Sequence, residues 1–234
     1  MNHRHRILLI FSIILLFFVI WLFEITDIDR HINDNFFDNT KKIWLIPNND
    51  TIYGKIFYKG IKGLLILVAV GILTTIILSY RSDRYKKYRY RAIFLFLCMA
   101  IIPSFISFLK HTTNVYPPWD LKIYNGTAPY VKLIEKYPKD FLQKDKPQGY
   151  PAGHASGGFS LLCFYFVLKK RWKKNLSLII WMLAGWSMGI YQMLRGAHFL
   201  SHTIVTNILS IIITLIIYNF FSKKIKGELY EISN

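Results

Sequence analysis

The sequence predicts an all-α, polytopic membrane protein with six transmembrane helices in a single domain over residues 1–234. Three observations carry that prediction. First, 53% of the 234 residues are hydrophobic and 17% aromatic, with a mean hydropathy of +0.29, a composition that suits a bilayer better than water. Second, the charged residues, 18% of the chain, gather in short clusters between long apolar runs instead of covering a mixed surface. Third, the Lys and Arg clusters alternate from loop to loop, which gives each span a direction. The 30 Lys and Arg against 13 Asp and Glu leave a formal net charge of +17. Such an excess can suit nucleic acid, but beside apolar segments it orients a membrane protein, so the expected partner is a lipid bilayer and no nucleic acid. Cys98 and Cys163 both fall inside apolar runs and read as buried thiols, not as a disulfide framework or a zinc knuckle.

Crossing the hydrocarbon takes roughly 20 apolar residues. The segments that qualify are residues 7–23, 64–80, 92–109, 155–168, 176–194 and 203–221. The first follows Arg4 and Arg6 as a signal peptide does, but its apolar core is too long and no small-residue cleavage site follows, so it is expected to be retained. The fourth is short, and is expected to span by extending through its Gly-rich start, where small residues let neighbouring helices pack closely.

Orientation follows from the basic loops. Arg4 and Arg6, the cluster at 81–91, the cluster at 169–174 and Lys223, Lys224 and Lys226 mark the cytoplasmic side, so both termini are cytoplasmic. The remaining loops face outward. Acidic residues concentrate there: Glu24, Asp27, Asp29, Asp34, Asp38 and Asp50 in the first outer loop, and Asp120, Glu135, Asp140 and Asp145 in the second. In the first of these loops Ile28, Ile32 and Phe36 recur at i, i+4 and i+8 and predict an amphipathic helix lying on the bilayer. In the second, Tyr130, Leu133 and Tyr137 stand at helical spacing before the breaker Lys144, Asp145, Lys146, Pro147.

Three polar constellations then share the outer membrane–water boundary. Span three ends at Lys110, followed by Pro117, Pro118, Trp119 and Asp120; span four opens with Pro151, Ala152, Gly153, His154, Ala155, Ser156, Gly157 and Gly158; span five ends in Gln192, Arg195, His198 and His202. Singly these are ordinary: a snorkelling lysine, a turn into a helix, an anchoring arginine. Together they place three of the seven histidines with two cations at the boundary, where ionisable groups are functional candidates. A phosphate ester accounts for the set. Lys110 and Arg195 bind phosphate oxygens, Arg195 gripping two at once. The helix start at His154 adds backbone N–H groups and a positive dipole end, with glycines allowing close approach. One histidine attacks phosphorus while another protonates the leaving oxygen, with no metal or other cofactor.

These residues resemble the type-2 phosphatidic acid phosphatase superfamily, integral-membrane lipid phosphatases with six spans and histidine nucleophiles. Its first motif is lysine, six residues, arginine, proline; its second proline, serine, glycine, histidine; its third arginine, five residues, histidine, three residues, aspartate. Lys110 and Pro118 match the first, Pro151, Gly153 and His154 the second, and His198 the nucleophile of the third. Four positions depart: Pro117 for arginine, Ala152 for serine, Gln192 for arginine and His202 for aspartate, with Arg195 a candidate to supply the cation missing at Gln192. The stretches around Pro118–Asp120, Pro151 to Ser156 and Arg195 to His202 look like a bacterial branch associated with lipid A modification. The resemblance implies a phosphohistidine at His198, His154 as acid and then base, and His202 as the orienting partner of His198. Lys110, Arg195, Gly153 and Ser156 would hold the phosphate, and Asp120 is a candidate to restore the missing carboxylate. It also implies a bacterial inner membrane, with the active site periplasmic or extracellular, and a phosphorylated membrane lipid as substrate: lipid A, phosphatidic acid, phosphatidylglycerol phosphate or undecaprenyl pyrophosphate.

Three other readings stand beside it. His198 and His202, at i and i+4, could bind zinc with His154 and Asp120. A lipid phosphotransferase would share the phosphohistidine step. A lipid-binding or transport protein would carry altered motifs as marks of lost catalysis.

Overall fold

The computed structural model describes residues 3–47, 52–143 and 145–231; Asp50 and Lys144 lie outside the described residues. The chain opens with helix α1 (His3–Ile25), followed by a short helix α2 (Ile28–Asp34) and a two-stranded hairpin, β1 (Phe37–Asp38) and β2 (Ile43–Trp44), in which Phe37 faces Trp44. A wide-turned helical stretch over Gly54–Gly60 runs into α3 (Ile61–Arg81), and after the short α4 (Asp83–Lys86) comes α5 (Arg89–Thr113). Two 3₁₀ turns, Pro118–Asp120 and Lys122–Tyr124, precede a long irregular loop to α6 (Gly153–Ser160). The bundle closes with α7 (Phe164–Val167), α8 (Arg171–Leu194) and α9 (Leu200–Glu231).

Among the described residues, five helices, α1, α3 with its lead-in, α5, α8 and α9, are long and apolar enough to cross a membrane. The surface is inverted relative to a water-soluble domain: Phe11, Phe17 and Trp21 on α1 and Leu64, Leu67 and Val70 on α3 are exposed. What is buried is a seam. On α5, Phe94, Cys98, Ile102 and Ile106 recur every fourth residue, form one face, and are fully covered. On α9 the inward face is small and polar, Thr203, Thr206, Ser210 and Thr214, which allows close helix contact without the bulk of leucine. Gly158 of α6 lies directly on the backbone of Ala184 and Gly185 of α8, where a β-carbon would come within 2.6 Å of main-chain atoms. Both cysteines are free and buried.

The fourth apolar segment departs from the expected single helix over 155–168. It is α6, a 3₁₀ turn over Leu161–Cys163, and α7, ending at Val167. At about 1.5 Å per residue, residues 153–167 reach roughly 22 Å, short of the ~30 Å of hydrocarbon. Its own residues explain the break. Gly157 and Gly158 are weak helix formers, and Ser156 and Ser160 turn their hydroxyls back onto Gly153 O (2.6 Å) and Gly157 O (2.7 Å).

The outer loops also differ from expectation. The periodicity of Ile28, Ile32 and Phe36 forms a helix, but its most buried residues are Asp29 and Asn33, on the face turned toward α9, so α2 rests on the protein. The spacing of Tyr130, Leu133 and Tyr137 forms no helix. Pro138 disfavours helical geometry at Tyr137, and the rings serve separate contacts, Tyr130 against Phe199 and Tyr137 against Tyr116. Lys132 ties this loop to the end of α1, with Nζ 3.0 Å from Asp27 and 3.1 Å from Glu24 O.

At the opposite end of the bundle the N-terminus of α5 is capped from α9. Glu228, 5% exposed, accepts from the backbone N–H of Tyr90 (2.7 Å) and Arg91 (3.1 Å) and pairs with the Arg91 guanidinium at 3.3 Å.

Candidate active site

His198 owes its position to the way α8 stops. Leu194 is the last helical residue and Arg195 the cap, Gly196 adopts φ +73°, and the chain closes with Gly196 N–H to Met193 O (2.9 Å) and Ala197 N–H to Gln192 O (2.8 Å). This paired-bond stop needs a left-handed residue, which glycine adopts without steric cost. The reversal leaves His198 just before α9, in the corner between two helices, and Trp119 N–H holds it from the first outer motif by bonding Gly196 O at 2.8 Å.

The segment before α6 is sewn to the same corner. Gly149 N–H bonds Val115 O (2.7 Å), Thr113 Oγ1 donates to Tyr150 O, and Ala152 N–H bonds His202 O (3.1 Å). Thr206 Oγ1, 3.2 Å from Ala152 O, fastens it to α9. The three motif segments therefore lie together.

His198 Nδ1 sits 2.8 Å from Gly149 O. A carbonyl can only accept, so Nδ1 carries the proton and Nε2 keeps its lone pair. That Nε2 lies 3.5 Å from His154 Nδ1, and His202 Nδ1 lies 3.4 Å from His198 Nδ1. The orienting bond is thus the Gly149 carbonyl, with His202 behind it. Burial, reinforced by His202, His154 and Lys110, holds the His198 imidazole well below its usual range, so it stands neutral at pH 7.

His154, on the first turn of α6, borders a cavity of about 540 Å³. The mouth is polar and basic: Lys62, Lys110, Gln148, His154 and Ser156, with the Tyr58 ring 5.0 Å from the His154 ring. Lys110 lies across the start of α6, so close that a β-carbon on Gly153 would fall 3.1 Å from its Cδ and 3.4 Å from its Nζ. Below, the walls are apolar, Leu65, Ile66 and Ala69 of α3 and Phe96, Met99 and Pro103 of α5. From Phe96 to Lys110 the helix covers roughly 20 Å at about 1.5 Å per residue, so the cavity combines a cationic rim with a long hydrocarbon-like wall.

Other expected site residues fall as follows. Ser156 lines the cavity, but its hydroxyl is engaged by Gly153 O. Arg195, half-buried, holds its guanidinium over the Tyr191 ring, 5.4 Å from the centroid, and does not line the cavity. Gln192 is 1% exposed and its carbonyl closes the α8 stop. Asp120 belongs to the turn its carbonyl makes with Thr127 and Ala128, not to the histidines. Among the described residues, no three His, Cys, Asp or Glu side chains converge as a metal site requires.

Sequence reasoning missed Tyr58 and Lys62. A signal existed: Lys55, Lys59 and Lys62 crowd the end of a span assigned to the outer side, against the basic-inside pattern, which marks them as candidates for an anionic ligand.

Over 163 residues the chain is 28% identical to the lipid A 4'-phosphatase of Francisella tularensis subsp. novicida (strain U112), covering 68% of this chain and 71% of that protein. No solved structure matches. The family model described as the PAP2 superfamily matches residues 91–226, the region from α5 to α9 that carries Lys110, His154 and His198. With that match over more than half its length, the chain belongs to the PAP2 superfamily.

Proposed function

We propose that this protein is a lipid phosphatase that releases phosphate from a lipid phosphate, with lipid A as its foremost substrate, through a phosphohistidine at His198. The proposal includes a single six-span domain, counting the broken α6–α7 segment as the fourth crossing, and a site on the outer face of a bacterial inner membrane. The observation that carries it is the cavity: a rim of Lys62, Lys110 and His154 above a wall of Leu65, Ile66, Phe96 and Met99, with His198 buried next to His154, its Nε2 3.5 Å from His154 Nδ1 and not itself lining the cavity. Such a space accepts a phosphate at the rim and an acyl chain along the wall. The relative's activity on lipid A supports that choice of lipid.

The chemistry follows from the tautomer. With Nδ1–H held by Gly149, the lone pair on His198 Nε2 attacks phosphorus and forms the N–P bond. The P–O bond to the lipid breaks, and the leaving oxygen takes a proton from His154. His154, now a base, removes a proton from water as that water attacks phosphorus, and His198 is released with inorganic phosphate. Lys110 and Lys62, with Arg195, offset the charge on the phosphoryl oxygens. His154 Nδ1 and His198 Nε2 face each other at 3.5 Å, so the bound phosphate has to part the two rings.

The test is phosphate release by purified protein in phosphatidylcholine vesicles doped with lipid A, phosphatidic acid, phosphatidylglycerol phosphate or undecaprenyl pyrophosphate. Lipid A should give the highest kcat/KM, and His198→Ala should lower release by at least about 10²-fold. Folded His198→Ala protein that keeps most of its activity rules out the phosphohistidine.

A further inference from the structure

The superfamily pattern has aspartate four residues after the nucleophile, where this chain has His202, and a neutral imidazole cannot stabilise a cation on His198 by charge. A carboxylate reaches the same place from elsewhere in the fold. Asp29, on α2, is 7% exposed; it accepts the Ser201 N–H at 2.8 Å and the Ser201 hydroxyl. One turn further along the same helix, Asn33 Nδ2 reaches His198 O at 3.4 Å. Asp29 and His202 both line a small cavity of about 40 Å³. That is room for one ordered water with polar partners on several sides.

We propose that Asp29 is a positioning residue for the reaction, supplying through His202 the negative charge that aspartate supplies elsewhere in the superfamily. As Nε2 of His198 bonds to phosphorus, positive charge develops on its ring, whose Nδ1 lies 3.4 Å from His202 Nδ1. A carboxylate lining the same small cavity as His202 and bonded to the adjacent Ser201 stabilises that charge more than it stabilises the neutral resting pair, which is the condition for accelerating the step. This inference rests on the phosphatase reading above.

The cost of burying Asp29 supports a functional role. Removal from water, only partly offset by the bonds from Ser201 and Leu200 and by Lys132, pushes its carboxyl from the ordinary 3.8 up to about 6. Facing it are Glu24 from the end of α1, Tyr130 and Lys132 from the second outer loop, Tyr150, and Ser201 and His202 from α9. Between about pH 4 and 6 the folded chain holds a proton that the unfolded chain has lost, so Asp29 makes the native state less stable as pH rises through that window. Asparagine can accept the Ser201 N–H through its carbonyl and meet the hydroxyl through its amide, without the charge. An aspartate kept only to fasten α9 should therefore be replaceable by asparagine with a gain in stability and no loss of rate.

The experiment compares wild type, Asp29→Asn, and the double variant Asp29→Asn with His202→Asp, assayed on lipid A in phosphatidylcholine vesicles and melted at pH 5 and pH 8. Asp29→Asn should melt higher than wild type at pH 8 and about equally at pH 5. Its kcat should fall about 10- to 100-fold with KM within about twofold, a loss confined to the transition state. The acid limb of the wild-type kcat profile, near pH 6, should disappear in the variant. Placing aspartate at 202 should restore kcat to within about fivefold of wild type, because the charge then needs no relay. Unchanged kcat in Asp29→Asn, a lower melting temperature or failure to fold, or a double variant no faster than the single one each overturns the inference. Absence of phosphate release by the wild type brings down the phosphatase reading and this inference with it; normal wild-type release with a normal Asp29→Asn variant overturns this inference alone.

Discussion

At the scale of single residues, the site depends on where protons and cations are held, and a small steric probe can test the cation. Gly153 leaves space for the Lys110 stem, and alanine there would put its β-carbon 3.1 Å from Lys110 Cδ. Lysine is flexible, so the stem gives by a few tenths of an ångström and carries the ammonium off the rim. Gly153→Ala should lower kcat/KM on lipid A about three- to tenfold while the melting temperature stays within a few degrees, since a small misplacement of a charge-stabilising group is costly to rate and not to packing. An unaltered kcat/KM would mean that Lys110 does not touch the phosphate. His198, His154 and Lys110 were legible as residue types at boundary positions. The carboxylate was not: Asp120 stands beside a motif in sequence, yet its carbonyl serves a turn, whereas Asp29 lies 172 positions before Ser201 and meets it only because α2 folds back over α9. Linear spacing carries no information about a contact made between separate loops.

At the scale of elements, hydropathy located five long helices because each needs only its own residues to satisfy its backbone in lipid. The broken fourth segment was visible as shortness, but its end at Val167 depends on serine back-bonds and on α8 lying against Gly158, both tertiary facts. The tyrosines at 130 and 137 show the reverse error, helical spacing without a helix, since their rings bind different partners. The far end of the bundle depends on one acidic side chain. Glu228→Ala removes three charge-assisted bonds, to Tyr90 N–H, Arg91 N–H and the Arg91 guanidinium, and leaves the first turn of α5 without its cap. Loss of a mostly buried carboxylate with these partners should cost about 2–4 kcal/mol, read as a lower unfolding midpoint. Because the site is at the other end, kcat per folded molecule should stay within about twofold of wild type; a large fall in kcat at normal stability would mean that the α5–α9 junction is coupled to catalysis.

At the scale of the whole molecule, the remaining question is which way the bundle faces. The fold puts the cavity rim, the α8 stop and α2 at one end, and the Arg91–Glu228 junction, α4 and the start of α8 at the other. The second end carries the basic clusters at 81–91 and 169–174, and short loops rich in Lys and Arg favour the cytoplasmic side during insertion. Lys55, Lys59 and Lys62 at the first end oppose that rule locally, but Lys62 lines the cavity, so a functional cause accounts for it. The site should then face outward. Single cysteines at 84, 171 and 125 test this, since Arg84, Arg171 and Asn125 are all exposed, while native Cys98 and Cys163 are buried and should label weakly. In intact cells an impermeant maleimide should modify Asn125→Cys and spare Arg84→Cys and Arg171→Cys until the membrane is opened. Ser201, at the start of α9, makes a poor reporter because it is 6% exposed and bonded to Asp29. Labelling in the opposite order would place the histidines in the cytoplasm, and with them every lipid phosphate the enzyme can reach.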